Sequence, residues 1–129
     1  MPKQEEARYT KTHEWIALEG DQALVGVSDH SQHEMGDVVF VELPKMNQKL
    51  EKDKPCTVVE SVKSAFDIYA PVAGKVSAVN TAVTGDPAII NQSPLEKGWL
   101  FKMKIADPED FKSLMDWNAY QEFIKQGVH

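Results

Sequence analysis

Val58-Val59-Glu60-Ser61-Val62-Lys63-Ser64-Ala65-Phe66-Asp67-Ile68-Tyr69-Ala70-Pro71 consists of two β-rich runs meeting at a short polar turn. Branched and aromatic residues favour strands, and Thr57–Glu60 and Ser64–Tyr69 flank the reversal. A type I turn accepts most residues and favours Ser at its first position, so Ser61–Ser64 can turn without glycine, with Val62 and Lys63 at its centre. Lys63 then stands at an exposed hairpin tip, one amine held out to a modifying enzyme. Most lysines are merely solvated, so the surrounding sequence must decide whether this one is special.

Working outward, Tyr9–Ala17 is β-prone and Ala23–Val27 follows after the turn-like Glu19-Gly20-Asp21, which together read as a hairpin. Ser28 can cap a short helix over Asp29–Met35; Ser31 and Glu34 have capping-box spacing, and Gly36 suits the stop. Val38–Leu43 is a strand ended by Pro44, and Val72–Val79 and Ala88–Asn91 read as further short strands. Trp99–Ile105 alternates apolar and basic residues, the period of a strand buried on one face with its lysines in water. Trp15 and Trp99 read as core residues.

The C-terminal part changes character. Asp107 can cap a helix with Pro108 at its first position, carrying Phe111, Leu114 and Met115 inward, and after Asp116 a second stripe of Tyr120, Phe123 and Ile124 is closed by Gly127. Both stripes read as packing faces, so residues 107–127 form a helical cover on the sheets. Lys52–Ser61 also aligns with Thr84–Ser93, each a turn before a proline that opens a strand; a repeat of sheet halves would make a flattened sandwich, and chance similarity fits equally well.

Composition narrows the function classes. A chain of 129 residues with 42% hydrophobic content supports one domain and one modest core. No apolar stretch approaches the roughly 20 residues of a membrane span, and the start Met1–Glu6 lacks signal and transit patterns, so the expected compartment is the cytoplasm. A net charge of −6 disfavours nucleic acid as a partner. Cys56 is the only cysteine, which excludes an intramolecular disulfide and any CxxC motif; opening a strand, it reads as a small buried residue. His13, His33 and His129 have no metal-ligand spacing with Cys56 and read as isolated surface histidines, so no metal site is expected. Ser28, Ser31 and His30 lack an oxyanion-loop motif, and no catalytic residue is assigned.

Taken in order, Thr12-His13-Glu14-Trp15, Val25–His30, Gly36–Pro44, Glu60-Ser61-Val62-Lys63, Asp67–Gly74, Val79-Asn80 and Gly98–Phe101 resemble the family of glycine cleavage system H proteins over nearly the whole chain. The resemblance implies a mainly β fold, the barrel-sandwich hybrid of lipoyl and biotinyl carrier domains, with a short helix after the first hairpin and C-terminal helices. It further implies lipoate in amide linkage to Lys63, with Glu60 and Gly74 in the pattern that lipoylating enzymes see. By the same resemblance the chain is a carrier and not an enzyme. It takes an aminomethyl group from a pyridoxal-phosphate glycine decarboxylase to a folate-dependent aminomethyltransferase, and electrons to a dihydrolipoamide dehydrogenase. Thr12, Glu14, His30 and Asp67 match the surface that holds the loaded arm; carboxylates suit an ammonium and a histidine can donate or accept. A monomer is the simplest expectation for a shuttling carrier.

Two departures stand out. Met46-Asn47-Gln48 replaces a loop in which glycine is common, where Asn tolerates left-handed geometry, and Phe66 is bulkier than the residue usual at its place, near enough to the tip to alter arm docking. A biotinyl carrier usually sets its lysine between methionines, whereas Val62 and Ser64 flank Lys63. A lipoyl domain of a 2-oxoacid dehydrogenase usually has Asp before and Ala after the lysine and lacks the terminal extensions. An H-like relay donating lipoyl groups to other enzymes, and an interaction module with unmodified Lys63, are the remaining alternatives.

Overall fold

The structure, a computed structural model, describes residues 4–127; Met1–Lys3, Val128 and His129 lie outside the described residues. After a 3-10 turn at Gln4–Glu6 come β1 (Arg8–Tyr9), β2 (Glu14–Glu19) and β3 (Gln22–Val27). The β-prone run from Tyr9 is broken by a tight turn in which the His13 amide donates to the Thr10 carbonyl at 3.2 Å and His13 takes φ +72°. Glu19 pairs with Gln22 across a two-residue connection, and Gly20 at φ +65° supplies the left-handed geometry that such a hairpin needs.

Ser28 caps α1 (Asp29–Met35), its Oγ accepting from the Ser31 amide at 3.1 Å, and Gly36 ends the helix at φ +81°. Ser31 is therefore the donor to the cap, and its spacing to Glu34 plays no capping part. The chain continues through β4 (Val38–Glu42), β5 (Lys49–Leu50), β6 (Pro55–Ser61), β7 (Ala65–Tyr69) and β8 (Gly74–Val79). Asn47 in the departing loop adopts φ +65°, the geometry for which glycine is otherwise used.

Two short helices follow, α2 (Ala82–Gly85) and α3 (Ile89–Gln92), before β9 (Phe101–Ile105). Ala88–Asn91 is thus a helical segment and not a strand, because the Ile89 and Ile90 amides turn back to the carbonyls of Asp86 and Pro87 at 3.1 Å each. Coiling buries Ile90 and aims Asn91 at the corner between α1 and β4. There Asn91 accepts from the Val38 amide at 2.9 Å and donates to the Gly36 carbonyl at 2.9 Å and the Gln32 side chain at 3.0 Å. The internal echo consequently has no structural counterpart: one copy extends as β6 and the other coils.

One sheet has six strands in the order β1-β2-β3-β9-β8-β5, the other three in the order β4-β6-β7, and their facing sides enclose Ile16, Val25, Val59, Ile68, Val76, Phe101 and Met103. In β9 the period of two holds: Phe101 and Met103 are buried, Lys104 is exposed, and half-buried Lys102 pairs with Glu19 at 2.8 Å. The back of β1–β3 carries Tyr9, Trp15, Ala17 and Leu24. It is covered by α5 (Trp117–Lys125), capped by Asp116, with Tyr120, Phe123 and Ile124 facing in, whereas α4 (Pro108–Lys112), capped by Asp107, packs Phe111 against the main core. Half-buried Trp99 joins this second cluster. Among the described residues no helix is long and apolar enough to cross a membrane.

Gly74 opens β8 where it crosses β9, and a β-carbon there would lie 2.1 Å from the Lys104 carbonyl oxygen. Gly74→Ala should lose about 2 kcal/mol or more in urea denaturation, because backbone must move to admit the methyl group. Gly85→Ala is the matched control: nothing lies within 4 Å of its β-carbon, and its stability should be unchanged or slightly higher, by about 0.5 kcal/mol.

Candidate functional site

The tip between β6 and β7 is stitched by the Ser61 side chain. Glu60 pairs with Ala65, the Ser61 amide donates to the Ser64 carbonyl at 2.8 Å, and Ser61 Oγ accepts from the amides of Lys63 at 3.1 Å and Ser64 at 3.3 Å. A hydroxyl thus does the work that a carbonyl does in an ordinary type I turn. The Val62 amide donates to the Asp37 carbonyl at 3.0 Å, tying the tip to the start of β4. Val62, Lys63 and Ser64 remain exposed. The Lys63 stem lies over Gly36, and its Nζ donates to the Glu34 carbonyl at 3.3 Å, at the C-terminal end of α1, where a cation is favoured.

Beside the tip, α1, β7 and the Thr10–His13 turn enclose a cleft of about 300 Å³. Thr12, His30, Glu34 and Asp67 give it polar groups, while Met35, Phe66 and Ile68 form an apolar wall. The bulky Phe66 therefore stands in the cleft itself. Three of the residues singled out from the sequence, Thr12, His30 and Asp67, are brought together here. Glu60 is exposed on β6 next to the tip, whereas Gly74 sits in the other sheet and is explained by its close approach to β9.

Glu14 lies behind this surface, 1% exposed. Its Oε1 accepts from the hydroxyls of Thr10 at 2.6 Å and Thr12 at 2.5 Å, and its Oε2 from the Tyr69 amide at 3.3 Å. Burial raises its pKa above the ordinary carboxylate value, against the pull of these donors. Glu14 thereby fixes the Thr12 hydroxyl at the cleft and clamps the end of β7.

His13 is not an isolated surface histidine. It is half-buried, lines the cleft with its ring 4.8 Å from that of His30, and its Nδ1 lies 2.7 Å from Tyr120 Oη. Tyr120 Oη is also 2.6 Å from Ser28 Oγ, and its ring stacks on Tyr9 at 4.3 Å. Burial pushes the Tyr120 hydroxyl up to about 12, with the Ser28 hydrogen bond opposing, so it stays protonated and acts as a neutral donor. The chain closes without conflict when Ser28 donates to Tyr120 and Tyr120 to His13 Nδ1. No local pattern could have found this pair, since 107 residues separate its members. Cys56 is half-buried, its thiol raised to about 12 by burial, and packs against the main core.

Because the folded chain holds the Glu14 proton where the unfolded chain has released it, the stabilising contribution is full below the ordinary carboxylate range. It falls as pH rises through the folded value. Glu14→Gln keeps the shape and removes this decline, so urea denaturation at about pH 4 and about pH 7 should show the variant gaining on wild type at the higher pH. Tyr120→Phe keeps the stack on Tyr9 and removes both hydroxyl contacts. A loss of about 1–2 kcal/mol, with a changed His13 imidazole signal in NMR, is expected.

The family model described as Glycine cleavage H-protein matches residues 7–127. The glycine cleavage system H protein of Thermus thermophilus is 50% identical over 117 residues, 91% of each chain, and that of Methylacidiphilum infernorum is 47% identical over 117 residues, again 91% of each. Among solved structures, a glycine cleavage system H protein from Mycobacterium marinum superposes with a TM-score of 0.83 at 32% identity, covering 98% of both chains. Likeness that runs from β1 through α5, across both sheets and the cleft between them, shows that the chain belongs to the glycine cleavage H-protein family.

Proposed function

We propose that this chain is the lipoyl carrier of a glycine cleavage system, with lipoate in amide linkage to Lys63 Nζ. The observation that carries the proposal is an exposed amine on a hydrogen-bonded tip, next to a cleft with one polar and one apolar side. A modifying enzyme must reach a deprotonated amine, and an exposed side chain allows that where a buried ion pair would not. Glu60, exposed beside the tip, is in this proposal one of the residues a lipoylating enzyme reads. Gly74 contributes through the crossing of β8 and β9 that it permits. Residues 1–129 act as one carrier unit, with 107–127 as its helical cover.

Lipoate, when attached, supplies the dithiolane on which an aminomethyl group and electrons are carried; the chain's own residues present and shelter. The apolar wall of Met35, Phe66 and Ile68 excludes water from the cleft. Thr12, held by Glu14, offers a hydroxyl, Asp67 a carboxylate suited to an amine, and His30 a ring that donates or accepts. Partners follow from the same proposal: a glycine decarboxylase loads the carrier, an aminomethyltransferase unloads it, and a dihydrolipoamide dehydrogenase reoxidises it.

Intact mass spectrometry of protein from lipoate-fed cells should show a single lipoyl addition that Lys63→Arg abolishes; unmodified wild-type protein would end the carrier proposal. The lipoylated chain should stimulate glycine-dependent carbon dioxide release by a glycine decarboxylase, and absence of stimulation would leave a lipoyl-relay role. In carrier loaded with the aminomethyl group, His30→Ala and Asp67→Ala should each hasten its loss roughly tenfold, the scale of one charge-assisted hydrogen bond. Unchanged release would remove these side chains from arm holding.

A further inference from the structure

Lys49, Lys75 and Lys104 stand side by side across three strands: Lys49 pairs with Lys75 between β5 and β8, and Lys75 with Lys104 between β8 and β9. Directly opposed residues share a face of the sheet, and like charges placed so are destabilising. All three are exposed, and among the described residues none of them forms an ion pair. They line one groove of about 680 Å³ together with a fourth lysine, Lys54, and a single acid, Glu51. Pro55, Ala73 and Ile105 also line the groove, while Leu50 is buried in the core beneath it.

Lysines on a sheet edge guard against edge-to-edge pairing, which accounts for Lys49 on the edge strand β5. It does not account for Lys75 or Lys104, because β8 and β9 lie inside the sheet. Solubility does not require them either, since the chain already carries a net charge of −6. A cationic row that disfavours its own strand pairing, on an otherwise acidic molecule, is complementary to an anionic ligand.

We propose that this groove docks an acidic segment of a partner protein, extended and carrying carboxylates at alternate positions. The row spans about 10 Å, two inter-strand spacings, and carboxylates on one side of an extended chain recur every 7 Å or so, within reach of neighbouring amines. A nucleic acid fits less well, because no aromatic ring lines the groove for a base to stack on and the net charge opposes it. The groove begins at Pro55, where β6 starts, and Lys63 follows the other end of β6, roughly 20 Å away by strand rise. A partner held here leaves the tip free. The inference stands on the groove alone and does not depend on modification of Lys63.

A blocked decapeptide of alternating glutamate and valine, titrated into isotopically labelled protein at low salt, is the test. Amide shifts should concentrate at Lys49–Leu50, Gly74–Val76 and Lys104–Ile105, weaken with added salt, and vanish with the matching glutamine–valine peptide. Lys75→Glu with Lys104→Glu should reduce affinity at least tenfold, whereas Lys11→Glu with Lys112→Glu should not; Lys75→Gln with Lys104→Gln checks the result if charge reversal perturbs the fold. Three results would overturn the docking site: shifts scattered over all lysines, equal binding of tripolyphosphate at the same residues, or affinity unaffected by the groove variants. Self-association of the protein that the same variants abolish would also overturn it, by giving the groove to a second copy. Lipoyl addition to Lys63 should be untouched in every groove variant, so failure here and failure of the carrier proposal are separately visible.

Discussion

Glu14 is the polar bolt between the two sheets. Its carboxyl group belongs to β2 in the six-stranded sheet, yet it receives the Tyr69 amide of β7 in the three-stranded one, along with two threonine hydroxyls from the turn before its own strand. A carboxyl group 1% exposed is costly to bury unless such donors surround it, and removing the carboxyl group would in turn leave those donors unmatched. The consequence is positional. Because one side chain holds both the Thr10–His13 turn and the end of β7, the cleft between them has fixed walls, and Thr12 faces it in a set orientation.

The third wall is fixed from farther away. Ser28 caps α1 and at the same time touches Tyr120 on α5, which also reaches His13. The C-terminal segment is joined to the first strand as well: Tyr9 and Met115 exchange backbone hydrogen bonds at 2.8 and 3.1 Å, and the Arg8 guanidinium donates to the Leu114 carbonyl at 3.0 Å. The helical cover is therefore more than a lid on an apolar face. It sets the ring plane of a cleft histidine and the starting point of the helix whose far end meets Lys63. Buried polar contacts of this kind specify one arrangement where apolar packing alone tolerates several.

What could be read from residues in order was whatever chemistry acts locally. The Ser28 cap, the turn at Gly20, the β9 alternation, the Asp107 cap and the left-handed Asn47 all depend on neighbours within a few positions. Ala88–Asn91 misled because a four-residue apolar run suits a strand and a helical turn alike, and the arbiter is Asn91 bonding to Gly36 and Val38 more than fifty positions away. At the site, Thr12, His30 and Asp67 line one cleft. His13 escaped notice because its partner is on α5, and the burial of Glu14 because its third donor is on β7. The lysine row was equally hidden, since its three members come from different strands and only register sets them abreast.

The tip itself separates two properties that usually travel together. Its backbone is tied down at Ser61, Lys63 and Ser64 by one hydroxyl and at Val62 by the Asp37 carbonyl, so the point from which the Lys63 side chain departs is fixed. The side chain is not. Among the described residues its one polar contact is an exposed amine on the Glu34 carbonyl, of the kind that contributes little in water because solvent competes for both groups and four rotatable bonds must be held still. Amide formation at Nζ would remove the charge that the end of α1 attracts and leave that contact weaker still. Stiffness in the backbone and slackness in the side chain fix the point from which the Lys63 stem departs while leaving its amine free to move in solvent.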